Sequence, residues 1–203
     1  MQKPCLHSVE DYVSSLLTTR TPIENFYHDI HHTKEVVLSA AEIGIGEKLS
    51  EDELEMIQIA AWFHDVGYIE KTDGHEKVSV EYARKFLTEL HYPSKKIGII
   101  IGAILATKIP QKPKNKFEKT LCDADVFHLG KETFFDRNDK YRVEFENYLG
   151  YKLSEKDWLI KTIDFVTSQN FHTDYAKRNY NDQKKETLRL LKEQLQRITN
   201  NTD

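Results

Sequence analysis

Apolar residues recur every three to four positions along nearly the whole chain, the period of a helix that buries one face. The pattern is clearest after Ser50 and Glu53, whose spacing is that of a capping box, with Leu54, Ile57, Ala60 and Ala61 following on one stripe. This predicts a helix to about His64, ended by Asp65-Val66-Gly67 with Gly67 in a left-handed conformation. A second stripe, Phe26, Ile30, Val37, Ala41 and Ile45, predicts a helix that begins at Pro22 and runs toward Gly44 and Gly46. Further helices are expected over about 8–20, 75–90, 94–106, 117–129, 132–149, 155–171 and 175–198, with Pro93, the Pro110 to Pro113 loop, Gly130 and Gly150 between them. No stretch alternates convincingly as a strand. The Ile-rich run from Ile97 to Ile109 is long and carries Gly98, Ala103 and Ala106, which favours a buried helix. Leu188, Leu191 and Leu195 share a face of the last helix, as on an outer helix packed against a domain. With no repeat or linker, the expectation is one all-α domain over residues 1–203. The N-terminal helix (about 8–20) and the C-terminal helices (about 132–198) would pack on a 24–130 core.

Composition agrees with this picture and narrows it. The 203 residues are 39% hydrophobic and 31% charged, with 10 Tyr and 10 Phe, which excludes a disordered chain. Eight Gly and 5 Pro are too few for the turns of an all-β domain of this length. Twenty-nine Lys and Arg against 33 Asp and Glu give a net charge of −4, so no general attraction to long nucleic acid or to an anionic membrane is expected. A phosphate-bearing partner would need a local site. Cys5 and Cys122 are the only cysteines, and no stretch approaches the ~18 uninterrupted apolar residues of a membrane span; a cytoplasmic protein is expected.

Chemistry-bearing residues fall in three clusters. Tyr27-His28-Asp29-Ile30-His31-His32-Thr33 places His28 and His32 one helical turn apart. Trp62-Phe63-His64-Asp65-Val66-Gly67 puts an ionisable pair at the end of an apolar helix, where burial is costly unless the two share a cation. Leu121-Cys122-Asp123-Ala124-Asp125-Val126-Phe127 brings two carboxylates into an apolar segment. Each cluster alone reads more readily as a cap, a surface pair or a hydrogen-bonded core feature. Their conjunction on helices, in the order His, His-Asp, Asp, points to a single divalent ion.

The three clusters together resemble the HD-domain metal-dependent phosphohydrolases, named for the adjacent His-Asp pair. The resemblance covers about Tyr27 to Asp125 and implies an all-α HD-domain bundle. It implies that His32, His64, Asp65 and Asp125 hold a divalent metal (Mn, Mg, Fe, Co or Zn), with Asp123 the alternative to Asp125, and that Asp65 belongs to the catalytic centre. Tyr27-His28 with His32 and Thr33 is similar to the cyclic-nucleotide phosphodiesterase branch, which makes His28 the proton donor to the leaving oxygen, with Asp29 or Glu70 as its acidic neighbour. Gly74-His75-Glu76 resembles the position of a further ligand in two-metal members, although the His-Thr pair of those members is replaced here by Ala106-Thr107. His75 is accordingly a candidate for binding phosphate or completing a partial second site.

The resemblance implies hydrolysis of a phosphate ester, of a nucleotide or another small molecule, by a metal-activated water. The lysine-rich stretch Lys108, Lys112, Lys114, Lys116 and Lys119 precedes the last carboxylates, and Lys108 is the candidate to meet an anionic substrate. Trp62, Phe63, Tyr68, Phe127, Phe134 and Phe135 are candidates to stack on a base, although most aromatics at helical spacing belong to the core. Two other readings stand beside the enzyme: a catalytically silent nucleotide-sensing module of the same fold, and a helical scaffold with a purely structural metal.

Overall fold

A computed structural model describes residues 4–22 and 24–200; the outermost residues of the expected 1–203 domain lie outside the described ones. Nine α-helices are described: α1 (Pro4–Arg20), α2 (Ile30–Gly46), α3 (Glu51–Phe63), α4 (His75–Glu89), α5 (Ser94–Ala106), α6 (Lys116–Asp125), α7 (Phe134–Leu149), α8 (Glu155–Ser168) and α9 (Asp174–Asn200). Two short 3-10 turns, Val66–Ile69 and Phe127–Gly130, follow α3 and α6. No strand occurs among the described residues.

Side-chain caps set several of the helix starts. Ser50 and Glu53 form the expected capping box on α3, and Asn115 and Ser154 accept from backbone amides at the starts of α6 and α8. The expected start at Pro22 is not observed. Asp29 caps α2 by accepting from the amides of His31 and His32, while the amides of Tyr27 and His28 are taken by the Glu144 carboxylate. Those bonds hold residues 24–29 out of the helix and leave Phe26 largely exposed, so it is not part of the buried stripe. Gly67 is likewise not left-handed; the positive φ values at glycine belong to Gly74 and Gly150. What requires glycine at 67 is close approach, because a Cβ there would collide with the His75 carbonyl oxygen. The helix expected over 117–129 breaks after Asp125 into the 3-10 turn.

The core joins α2, α3, α5 and α6, which pack on one another; α1 lies on α3, and α4 on α5. Val36, Ala40 and Ile43 meet Ile57, Ala60 and Ala61, with Ile100, Ile104, Leu121 and Ala124 completing the layer. The alanines let the backbones approach closely, and the β-branched residues of α5 are tolerated because they are buried. α8 packs on α9, and α9 packs on the Phe127–Gly130 turn, with Ala176, Tyr180 and Leu191 of α9 buried. No described helix is long and apolar enough to cross a membrane.

Candidate metal centre

Because α2, α3 and α6 pack against one another, their ends converge. His32 lies in the first turn of α2, His64 and Asp65 directly follow α3, and Asp125 is the last residue of α6. One ligand atom from each of these four residues falls within 4.8 Å of all the others. His64 Nε2 stands 3.1 Å from Asp65 Oδ2 and 3.4 Å from Asp125 Oδ1; His32 Nε2 is 3.4 Å and 3.6 Å from the same two oxygens. Both imidazoles and Asp65 are buried.

The hydrogen bonding of this cluster is incomplete in a telling way. His64 Nδ1 donates to the Ala61 carbonyl at 2.7 Å, which leaves Nε2 as the inward nitrogen. His32 Nε2 and His64 Nε2 are both buried without a hydrogen-bond partner. Two unpartnered imidazole nitrogens facing two carboxylate oxygens are what a shared cation would satisfy. His/carboxylate donors of this kind suit divalent ions of the first transition row or Mg²⁺. Without a cation, protons fill the gap. Burial pulls the His64 pKa down, but the neighbouring Asp65 and Asp125 carboxylates outweigh it, Asp65 most, and hold it well above the usual value. His32 is raised in the same way, against burial, by Asp125 and Asp65. Asp65 is held well below the carboxylate range, the His64 charge overcoming the opposing effect of burial.

Asp123 points elsewhere. It is fully buried and accepts from the amides of His172 and Thr173, both at 2.7 Å, and from Thr173 Oγ1 at 2.6 Å. It therefore ties α6 to the start of α9, and the geometry favours Asp125 over Asp123 as the fourth member of the cluster.

Beside the cluster opens a cleft of about 500 Å³ that includes His28, Asp65, His75, Lys108 and Asp125 in its walls. The structure thus brings His28, His32, His64, Asp65, His75, Lys108 and Asp125 to one region. His75 Nε2 lies 3.3 Å from Asp65 Oδ1, the oxygen turned away from His32 and His64, and its Nδ1 donates to the Thr72 carbonyl at 2.9 Å. Thr107 stands in the same cleft but spends its hydroxyl on the Ile104 carbonyl at 2.8 Å. Of the expected basic stretch only Lys108 lines this cleft; Lys116 instead donates to the Glu47 carbonyl.

His28 precedes α2, yet its ring lies 5.8 Å from that of His32. Its acidic neighbour is neither of the two expected. Asp29 is occupied as the α2 cap, and Glu70 accepts from the Tyr82 hydroxyl at 2.6 Å. Glu144 of α7 takes that place: its Oε1 bonds His28 Nδ1, and its Oε2 accepts from the Tyr27 and His28 amides at 2.8 Å and 3.0 Å. The ring of Tyr68 stacks between those of His28, at 3.8 Å, and His75, at 4.0 Å.

Several of these groups escaped the sequence reading. Arg137, Tyr141 and Glu144 follow the candidate Phe134 at helical spacing on α7, and that face turns toward the site. The spacing was visible, but the polar members gave no sign of being buried. His128, in the turn after α6, faces the Tyr27 hydroxyl at 3.3 Å. Burial and the nearby His32 charge push its pKa down to about 3, so it stays neutral. Of the aromatics named as candidates, Tyr68 and Phe134 line the cleft, whereas Trp62 and Phe63 are core.

An all-α bundle whose helix ends bring together a His, His-Asp, Asp cluster able to hold a metal ion marks the class of protein, and the family match makes it specific. The HD domain family matches residues 29–130, and the chain belongs to that family. Solved structures share the fold over nearly the whole length. A predicted HD superfamily hydrolase from an uncultured Thermotogales bacterium is 21% identical with a TM-score of 0.65, over 96% of this chain and 94% of its own. Bacillus subtilis YpgQ, solved in complex with ADP, is 20% identical with a TM-score of 0.65, over 93% and 92% of the two chains. A selenomethionine form of YpgQ gives a TM-score of 0.67 at 18% identity, over 95% of each chain. No curated protein matches the chain.

Proposed function

We propose that the protein is a metal-dependent phosphohydrolase that cleaves a phosphate ester of a nucleotide or another small molecule. The observation that carries this reading is the pair of buried, unpartnered nitrogens of His32 and His64 facing Asp65 and Asp125 at the edge of the cleft. His32, His64, Asp65 and Asp125 would hold a divalent ion, with Mn²⁺, Mg²⁺, Fe²⁺, Co²⁺ and Zn²⁺ all compatible with the donor set. Such an ion supplies Lewis acidity toward a phosphoryl oxygen and lowers the pKa of a water that attacks phosphorus.

The chain supplies the remainder. Glu144 accepts the Nδ1 proton of His28 and fixes the ring against Tyr68, leaving Nε2 to hand a proton to the departing ester oxygen. Lys108 places positive charge on the cleft wall for the phosphate, and Arg137, whose guanidinium pairs with Glu35, lines the same wall. His75, bonded to Asp65, steadies that carboxylate and is placed to meet a phosphate oxygen. The ADP held by YpgQ supports a nucleotide as the class of substrate. Free Cys5 and Cys122 fit a reducing compartment such as the cytoplasm.

The test is phosphate release from a panel of nucleotides by protein loaded with each ion in turn. Turnover that a chelator abolishes is expected. Bound metal with no turnover on any member would favour the nucleotide-sensing module.

A further inference from the structure

A second hollow, of about 360 Å³, adjoins the cleft and shares His28, Tyr68, Thr72, Asp73 and Tyr141 with it as common wall. The two spaces differ in their cations. Lys108 and Arg137 line the cleft beside Asp65, Asp73, Glu76 and Asp125, whereas the groove is lined by Glu24, Asp73 and Glu144 with no Lys or Arg among its lining residues. Lys161, whose ammonium lies 4.5 Å from the Phe145 ring centroid, lines a different hollow. The rest of the groove wall consists of aromatic rings, Thr72 and the amides of Asn25 and Asn147, and the Tyr148 hydroxyl donates to Asp73 at 3.0 Å.

We propose that this groove receives the departing half of the substrate, and that this half is an uncharged alcohol carrying an aromatic ring and hydroxyls, of the nucleoside type, not a phosphate chain. The inference rests on the phosphohydrolase reading above. In phosphoryl transfer the entering and leaving oxygens lie on opposite sides of phosphorus. Water forms the new P–O bond and the ester P–O bond breaks. Its electron pair stays on the leaving oxygen, which takes a proton from His28, so the products are phosphate and a neutral alcohol. With His28 at the leaving oxygen, the rest of the leaving group continues past the His28–Tyr68 wall into the groove. There the rings offer stacking surface, and the carboxylates and amides offer partners for hydroxyls. A departing pyrophosphate or phosphate would instead meet carboxylates without a compensating cation.

The experiment compares adenosine 5′-monophosphate with inorganic pyrophosphate as substrates of the Mn²⁺-loaded full chain, in wild type and in Asn147→Lys, an exposed residue that lines the groove and not the cleft. A kcat/KM at least tenfold higher for the monophosphate is expected, and Asn147→Lys should narrow that ratio at least fivefold with metal content unchanged. Adenosine alone should bind the metal-free protein, and at least fivefold more weakly in the variant. Preference for pyrophosphate, or a ratio that the variant leaves unchanged, overturns the groove assignment while the phosphohydrolase reading stands. No turnover of either compound by metal-loaded protein removes that reading instead; adenosine that then fails to bind, or binds equally in the variant, overturns the groove assignment as well.

Discussion

Glu144 shows how one buried carboxylate can prepare a distant imidazole. Its oxygens take two amides and a ring nitrogen from residues 116 and 117 positions away, and those bonds hold the carboxyl below its usual pKa against the opposing effect of burial. His28→Ala should slow turnover by about 10²–10³-fold for alkyl esters and far less for a nitrophenyl ester, whose leaving oxygen needs no proton. Glu144→Gln should shift the same leaving-group dependence in the same direction, read as kcat with metal content unchanged; equal slowing across leaving groups would remove His28 as the acid. The paired aspartates separate just as cleanly. Asp125→Asn should lose metal. Asp123→Asn should keep it and cost about 1–3 kcal/mol in denaturant unfolding, because the amides of His172 and Thr173 lose a charged acceptor. The three clusters were legible in the sequence because ionisable groups inside apolar helices demand an explanation, while the choice of His32, and of Asp125 with Asp123 still open, came from the family resemblance. Glu144 was not, since Tyr141-Arg142-Val143-Glu144-Phe145-Glu146 reads like any solvated helix face.

At the scale of the element, the site is made by helix ends. His32 is held where α2 begins because Asp29 accepts two amides there, and Asp65 stands free of helix because α3 stops at Phe63. Asp29→Ala should cost about 1 kcal/mol and lower Tm by roughly 2–4 °C. It should also weaken metal binding through His32; a Tm loss with unchanged metal affinity would show that the cap serves the helix alone. Helix periods and caps were readable, as at Ser50 and Glu53. Ends fixed by distant partners were not: α2 was expected from Pro22 because nothing in the local sequence discloses that Glu144 captures the amides before Ile30. Gly67 was read as a left-handed stop, whereas the approach of His75, eight residues on, is what excludes a side chain there.

For the whole molecule, protons and a cation compete for the same four groups. In the metal-free protein, His32 and His64 lie above the usual histidine pKa of about 6.5. Their stabilisation is fully present below that value and is lost as pH rises through the folded value. Asp65 is depressed, so its contribution is present above the usual aspartate value of about 4 and is lost as pH falls through the folded value. A cation needs bare nitrogens, so its contribution grows as pH rises. Mn²⁺ at about 100 times its Kd should add about 2.7 kcal/mol, roughly 5–10 °C in Tm, and the gain should be larger at pH 8 than at pH 6. A gain that shrinks with rising pH would place the ion elsewhere. Which helices pack together was the least legible part, because stripes on α2, α3 and α6 name a buried face without naming the face opposite.

The claim beneath all of this is that the ends of α2, α3 and α6 hold one divalent ion. The direct measurement is metal content per chain in protein purified without added metal, set beside Asp65→Ala prepared in the same way. About one ion per wild-type chain and essentially none in a folded variant is the expected result. A metal-free wild type that also takes up no added ion, or a variant that retains as much metal as the wild type, would contradict it.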